Sequence, residues 1–268
     1  MRKTVIIIPV LYRKHLAKSV TSVLANGCDV IIVNDSDRPL DMEKPGVTIL
    51  DNKANRGVGY SRNRGVREAL ACGYNFIGFV DADSVLSKNW ISEALKELKD
   101  PEVLGVSGVA INPNQKSRIA RVKFVLKDYS RRKGIPFQID CSLFRREALA
   151  DTSFSLRRIG EDSDFLSRVN TKRLRVCEHA ISYHHEVEFI QEFFWKELVG
   201  AMYSLSPPGR VAISFFLTPV TSLRMASLNH RYPDYPFAAL VWPIRQLIWN
   251  LAYACGRLVR YGSATKAN

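Results

Sequence analysis

The sequence predicts an α/β fold built on a mostly parallel central sheet flanked by helices. Three observations carry that expectation. Short apolar runs alternate with segments of helical periodicity along the first 111 residues. The runs are apolar at consecutive positions, as in strands covered on both faces, and not at every second position as in one-sided sheets. The order strand, helix, strand then recurs, which is the pattern of a parallel sheet between helical layers.

The elements follow in order. TVIIIPV (4–10) reads as the first buried strand. The segment MRKTVIIIPV has too short an apolar run, and no small-residue cleavage pattern, for a signal peptide. LAKSVTSVLANG (16–27) has apolar residues at helical spacing and ends on Gly27. DVIIVND (29–35) and GVTILD (46–51) are the second and third strands, and VGYSRNRGVREALACG (58–73) is a helix closing on Gly73. NFIGFVD (75–81) is the fourth strand, KNWISEALKELKD (88–100) a helix with charged residues on its outer face, and VLGVSGVAI (103–111) the fifth strand.

With 268 residues, 46% of them apolar, the chain can bury one substantial core plus an appendage, or two small domains. Its five cysteines are scattered and form no Cys-x-x-Cys pair, which argues against a disulfide framework or zinc site and for a reducing compartment. The net charge of +13 asks for an anionic partner: nucleic acid, phosphorylated ligands or a lipid surface. Much of it lies between Lys116 and Lys133, where eight Lys or Arg stand against one Asp. No aromatics alternate with those charges as in a stacking platform for single strands, so no nucleic-acid partner is expected.

Ligands of open α/β sheets bind at the carboxyl ends of the strands. Three of those ends carry chemistry here: Pro9, the run Asn34-Asp35-Ser36-Asp37, and Asp81-Ala82-Asp83. Two carboxylates two residues apart repel each other unless a cation sits between them. A hard divalent ion, Mg²⁺ or Mn²⁺, takes oxygen ligands and keeps places for substrate phosphates. Asp81 and Asp83 therefore read as a clamp for a metal and a diphosphate.

Together with VIIIPVLYR, VIIVNDSD, NRGVGYSRNRGVREAL (55–70), FQIDCSLFRREAL (137–149), IGEDSDFLSRV (159–169) and AISYHH (180–185), this clamp makes the chain resemble the inverting family 2 glycosyltransferases of GT-A fold, among them dolichol-phosphate-sugar synthase-like and lipid-linked-glycan transferases. The resemblance covers roughly residues 4–200. It implies a nucleotide-sugar site formed by Pro9, Asn34, Asp35, Arg62, Asp81 and Asp83. The family's second strand usually ends in two aspartates; Asn34 stands at the first position, which leaves open whether Asn34 or Asp35 reads the base. Gly57 and Gly59 free the loop backbone to approach the ligand. Asp140-Cys141-Ser142 replaces the family's small, glycine-rich acceptor-side start.

The resemblance further implies Asp162 as the general base, supported by Glu161 or Asp164, and a metal held by Asp83, Asp81 and a histidine, His184 in preference to His185. Asp140, Arg145 and Asp164 fall on the acceptor side. The expected activity is metal-dependent inverting transfer of a hexose from a GDP- or UDP-sugar. A lipid phosphate is already ionised and needs no base, so the expected acceptor is a hydroxyl of a lipid-linked or other saccharide; transfer to polyprenyl or dolichyl phosphate is the alternative. The Gln-x-x-Arg-Trp motif of processive members is absent from FIQEFFWKELVGAMY (189–203), so one sugar is added at a time. A nucleotidyltransferase would need a glycine-rich loop after the first strand, and VLYRKHLAK has no glycine. A non-catalytic sugar-binding protein would not need the retained acidic residues.

Residues 1–186 are expected to form the catalytic domain, 1–111 as nucleotide-sugar half and 112–186 as acceptor half, with 187–268 a helical extension. In that extension SPPG (206–209) and NHRYPDYP (229–236) separate an apolar segment, 211–223, from FAALVWPIRQLIWNLAYAC (237–255). Read as a helix, the last run carries a polar stripe of Gln246, Asn250, Tyr253, Arg257 and Arg260. Arg245 near its middle would cost about 2.5–3.5 kcal/mol at a bilayer centre. The expectation is an amphipathic helix lying on the anionic, cytoplasmic face of a membrane. A helix packed on the catalytic domain or on another subunit is the alternative, and a span is second choice.

Overall fold

The structure, a computed structural model, describes residues 3–111, 117, 121–122, 137–157, 160–184, 191, 194–195, 198, 201 and 235–264. The chain divides into two compact units, Met1–Pro113 with Ile135–His185, and Asn114–Gly134 with Glu186–Asn268.

The first unit is one eight-stranded sheet between helices. Its strands are β1 (Thr4–Val10), β2 (Asp29–Asn34), β3 (Val47–Asp51), β4 (Phe76–Val80), β5 (Ser84–Leu86), β6 (Gly105–Ile111), β7 (Cys141–Arg145) and β8 (Leu174–His184), in the order β3-β2-β1-β4-β7-β6-β8-β5. The helices are α1 (Leu16–Ala25), α2 (Val58–Ala71), α3 (Trp90–Glu97), α4 (Arg146–Ala150) and α5 (Glu161–Arg168). The first four strands in spatial order are parallel. β7 then runs antiparallel to both β4 and β6, and β5 antiparallel to β8.

The alternation along β1 shows why its run is apolar throughout. Ile6 and Ile8 join one core with Leu16, Val20 and Val23 of α1 and with Trp90 of α3. Val5 and Ile7 join the opposite core with Val66 of α2, Phe79, Phe144, Phe154 and Phe165. Side chains at successive strand positions point to opposite faces, so a strand between two helical layers must be apolar at each. β3, at the sheet edge, is the exception and stays largely accessible. α1 ends where Gly27 takes φ +74°, a conformation that costs glycine nothing.

In the second unit the described residues centre on one helix, α6 (Tyr235–Ala264), longer than the 237–255 run expected, with Pro243 inside it. Residues 191, 194–195, 198 and 201, within the expected helix 189–203, are helical. Leu198 and Ala201 pack with Trp249, Ala252 and Tyr253 of α6. The expected polar stripe is reversed in part. Gln246 and Tyr253 are buried, and Gln246 Nε2 reaches Asn250 Oδ1 at 3.4 Å. Segments 206–209, 211–223 and 229–234, His185, and the basic strip except residues 117, 121 and 122 lie outside the described residues.

Candidate active site

The carboxyl ends of β1, β2 and β4 lie side by side because β1 pairs in parallel with both neighbours. β4 stops at Val80, and Asp81-Ala82-Asp83 turns the chain into β5. β7 enters antiparallel, with Cys141 opposite Val80, so Asp140 arrives beside Asp81; the Asp81 N–H reaches the Asp140 carbonyl at 3.4 Å. β5 pairs Ser84 with His184 at the end of β8. Three chain segments distant in sequence thereby deliver acidic or imidazole side chains to one place.

At its centre is Arg62, on α2. Its side chain is buried, with the guanidinium carbon 5.3 Å from the centre of the Phe154 ring. Phe154 stacks on Phe165 at 4.3 Å and meets Phe79 edge-on at 5.2 Å. That aromatic floor offers no acceptor, so the guanidinium turns to carboxylates. Nη1 bonds Glu161 Oε1 at 3.2 Å and also Asp162 Oδ1, while Nη2 meets Asp81 Oδ1 at 3.4 Å. Glu161 and Asp162 open α5, where carboxylates also complement the helix dipole.

One guanidinium does not compensate three carboxylates. Withdrawal from water pushes Asp162 up to about 6, and Glu161 and Asp140 add to the rise while Arg62 opposes it. The same cause lifts Asp81 to about 6, with Arg62 again opposing and Asp140 and Asp83 adding. Burial works against the charge on Arg62, but Asp162, Asp81 and Glu161 outweigh it and hold its pKa above the ordinary value. Asp162 leaves 40% of its side chain exposed against 11% for Glu161, so Asp162 is the better placed of the two to meet a substrate.

Asp83 and His184 form the other side. His184 Nδ1 lies 2.7 Å from Ser84 Oγ, in a hydrogen bond whose direction follows the imidazole tautomer. The same nitrogen is 3.6 Å from Asp83 Oδ1 and 4.0 Å from Asp140 Oδ2. The expected trio of Asp81, Asp83 and His184 is not assembled as one ligand set, because Asp81 is turned onto Arg62. Among the described residues no three His, Cys, Asp or Glu side chains are gathered around a single point. The donor chemistry nevertheless fits a divalent ion: carboxylates outnumber cations here, and oxygen with imidazole donors suits Mn²⁺ or Mg²⁺. Asp83 and His184 are the residues that would hold it, with remaining positions open to a diphosphate.

Other expected residues find structural work. Asn34 is buried and donates from Nδ2 to the Arg38 carbonyl at 2.8 Å and to Asp51 Oδ1 at 2.5 Å. Asp35 accepts from Asn52 Nδ2 at 2.8 Å, Arg56 N at 2.9 Å and Gly57 N at 2.9 Å. Asp35 thus holds the loop from β3 to α2 against β2, and Asn34 ties the loop after β2 to the end of β3, beside Pro9 in β1. Gly57 takes φ +92°, as a free loop backbone requires, but Gly59 serves packing: a Cβ there would lie 2.2 Å from the Ser155 carbonyl.

Two of the expected acceptor-side residues lie away from the Arg62 cluster. β7 runs antiparallel to β4, so its last residue, Arg145, pairs with Phe76 at the far end of β4 from Asp81. There it donates to the carbonyls of Val103 at 2.9 Å and Leu98 at 2.5 Å. Asp164, one turn into α5, is taken by Arg168 at 2.7 Å and Arg157 at 3.3 Å, not by the Arg62 cluster.

Sequence reasoning missed Asn52 and gave Asn63 no role. Asn52 also bonds Ser61 and Arg64. Asn63 pairs with both backbone groups of Phe154, donating at 2.8 Å and accepting at 2.7 Å, which fixes the floor under Arg62. An arginine beside an asparagine at the start of an apolar-faced helix was the available signal.

The fold has solved counterparts. Glucosyl-3-phosphoglycerate synthase from Mycobacterium tuberculosis, in complex with Mn²⁺, uridine-diphosphate-glucose and phosphoglyceric acid, superimposes with a TM-score of 0.50 at 14% identity, over 75% of this chain and 78% of that one. S. aureus TarS 1–349 does so with a TM-score of 0.50 at 14% identity, over 96% and 91%, and was also solved with UDP. At such identity the likeness speaks for the fold alone. No curated protein sequence matches the chain. The Glycosyl transferase family 2 profile, however, matches residues 5–153, a stretch that runs from β1 through the Arg62 helix, Asp81-Ala82-Asp83 and β7 to just past α4. Because that match takes in more than half of the sequence, the chain belongs to glycosyl transferase family 2.

Proposed function

We propose that the chain transfers a hexose, with inversion, from a nucleoside-diphosphate sugar to a hydroxyl of a saccharide acceptor, lipid-linked or free, one sugar at a time. The observation that carries this reading is the meeting of Asp81 with Glu161 and Asp162 on a single buried guanidinium at the carboxyl ends of the strands. A UDP-sugar is the first donor to test, since the two structural counterparts were solved with UDP-glucose and with UDP; a GDP-sugar is the second.

In this reading Asp162 takes the proton of the acceptor hydroxyl as its oxygen attacks the anomeric carbon. The bond from that carbon to the diphosphate oxygen breaks on the opposite face, and the electron pair leaves with the nucleoside diphosphate. Arg62 keeps the Asp162 carboxylate aimed and limits its protonation. Glu161, more buried, shares the guanidinium and helps fix it. A divalent ion between Asp83, His184 and the donor would offset the charge that grows on the leaving diphosphate. A hydroxyl acceptor is favoured over a polyprenyl phosphate because only the former requires the base.

The test is Asp162→Asn. Transfer, read as release of nucleoside diphosphate in the presence of acceptor and Mn²⁺, should fall by about 10³-fold, while donor affinity by calorimetry stays unchanged. Full turnover in that variant would refute the assignment of the base and favour an acceptor that is already ionised.

A further inference from the structure

The helix α6 is built inside out. Over Val241–Cys255 six side chains are exposed: Pro243, Ile244, Leu247, Leu251, Ala254 and Cys255. None carries a charge or a hydrogen-bonding amide or hydroxyl. Ile244, Leu247 and Leu251 are 54%, 48% and 60% exposed. At about 100° per residue these six positions fall on one face, roughly 18 Å long at 1.5 Å rise per residue. The polar residues lie elsewhere: Gln246 and Tyr253 are buried, and Arg245 stacks on Trp242 at 5.0 Å. A water-facing helix shows the opposite pattern.

A contiguous apolar face left outward belongs against another apolar phase. The charge pattern indicates which. The thirty residues Tyr235–Ala264 contain Arg245, Arg257 and Arg260 and no Asp or Glu, in a chain of net charge +13. A second copy docked there would bring the positive charges of two chains of net charge +13 together. An anionic lipid surface would instead complement them while accepting the leucines into its acyl boundary. No described helix is long and apolar enough to cross a membrane.

We infer that α6 lies in the plane of an anionic bilayer interface, with Ile244, Leu247, Leu251 and Cys255 facing the acyl chains. The inference is independent of the reaction proposed above. It also replaces the expected placement of Gln246 and Tyr253 at the head groups, since both are buried within the protein.

Co-sedimentation of the full chain with vesicles tests it. Vesicles of phosphatidylglycerol and phosphatidylcholine should retain the protein, and phosphatidylcholine alone should retain it at least tenfold less. High salt should weaken the binding. Leu247→Glu with Leu251→Glu should lower the affinity for the anionic vesicles at least tenfold. Both positions are exposed, so the melting temperature should hold; if the double variant does not fold, Leu247→Asn replaces it, with a loss of at least threefold expected. Absence of wild-type binding to anionic vesicles, or equal binding by a folded variant, overturns the inference. So does a wild-type dimer that ignores vesicles and becomes monomeric in the variant, because the face would then belong to a second copy.

Discussion

Two arginines stand at opposite ends of the same strand. Near the carboxyl end of β4, Arg62 holds Asp81, Glu161 and Asp162. At the amino end, Arg145 holds the carbonyls of Leu98, Asp100 and Val103 and lies over the Phe76 ring. Both guanidiniums tie together segments remote in sequence, yet their partners differ in kind. A carbonyl has one state near neutral pH, so the Arg145 cluster can only be made or broken. A carboxylate can gain a proton, give up the guanidinium or face another cation, and Asp81 and Asp162 are lifted toward neutrality by their surroundings. The first region is a fastening, the second a set of groups held ready for exchange.

Substitutions can break or sharpen that contrast. Arg62→Ala should have the largest effect, leaving Asp81, Glu161 and Asp162 to repel one another without their shared cation and lowering stability by about 3 kcal/mol, read by denaturant unfolding. Arg62→Lys keeps a charge but loses the fork. It should fold, and transfer should fall by about 10²-fold through misplacement of the base. If Arg62→Lys turned over normally, the guanidinium would not be positioning anything. Arg145→Ala should cost about 2 kcal/mol through carbonyls left without their charged donor, with kcat/KM of the folded fraction unchanged; a loss of catalysis there would erase the distinction between the two ends. Asp164→Asn should do least. Its ion pairs with Arg168 and Arg157 are at the surface, so a change of about 0.5 kcal/mol or less is expected, with transfer at the wild-type rate.

The same contrast explains what the sequence could disclose. β1, β2 and β4 announce themselves because a strand between two helical layers must be apolar at every position, and those runs are local. Asp81, Arg62 and Glu161-Asp162 were legible as motifs, and the structure joins them through one guanidinium. The direction of β7 was not legible, since antiparallel pairing with β4 is a long-range choice. That one fact admits Asp140 to the site and carries Arg145 to the wrong end. The three-residue β5 is too short to show a period, yet its pairing sets His184 beside Ser84. The spacing of polar residues in α6 marked a stripe, but Gln246 and Tyr253 in it are buried; which face is covered depends on neighbours such as Leu198 and Ala201, which periodicity cannot name.

The most direct test of the central claim, that Asp162 held by Arg62 is the working base, is the pH dependence of kcat/KM for transfer. A base acts only when ionised, and this one is raised to about 6 by its withdrawal from water and its acidic neighbours. Transfer should therefore be lost as pH falls through about 6 and be level above it. An acidic limb centred near the ordinary carboxylate value, about 4, or a profile with no acidic limb, would contradict the account.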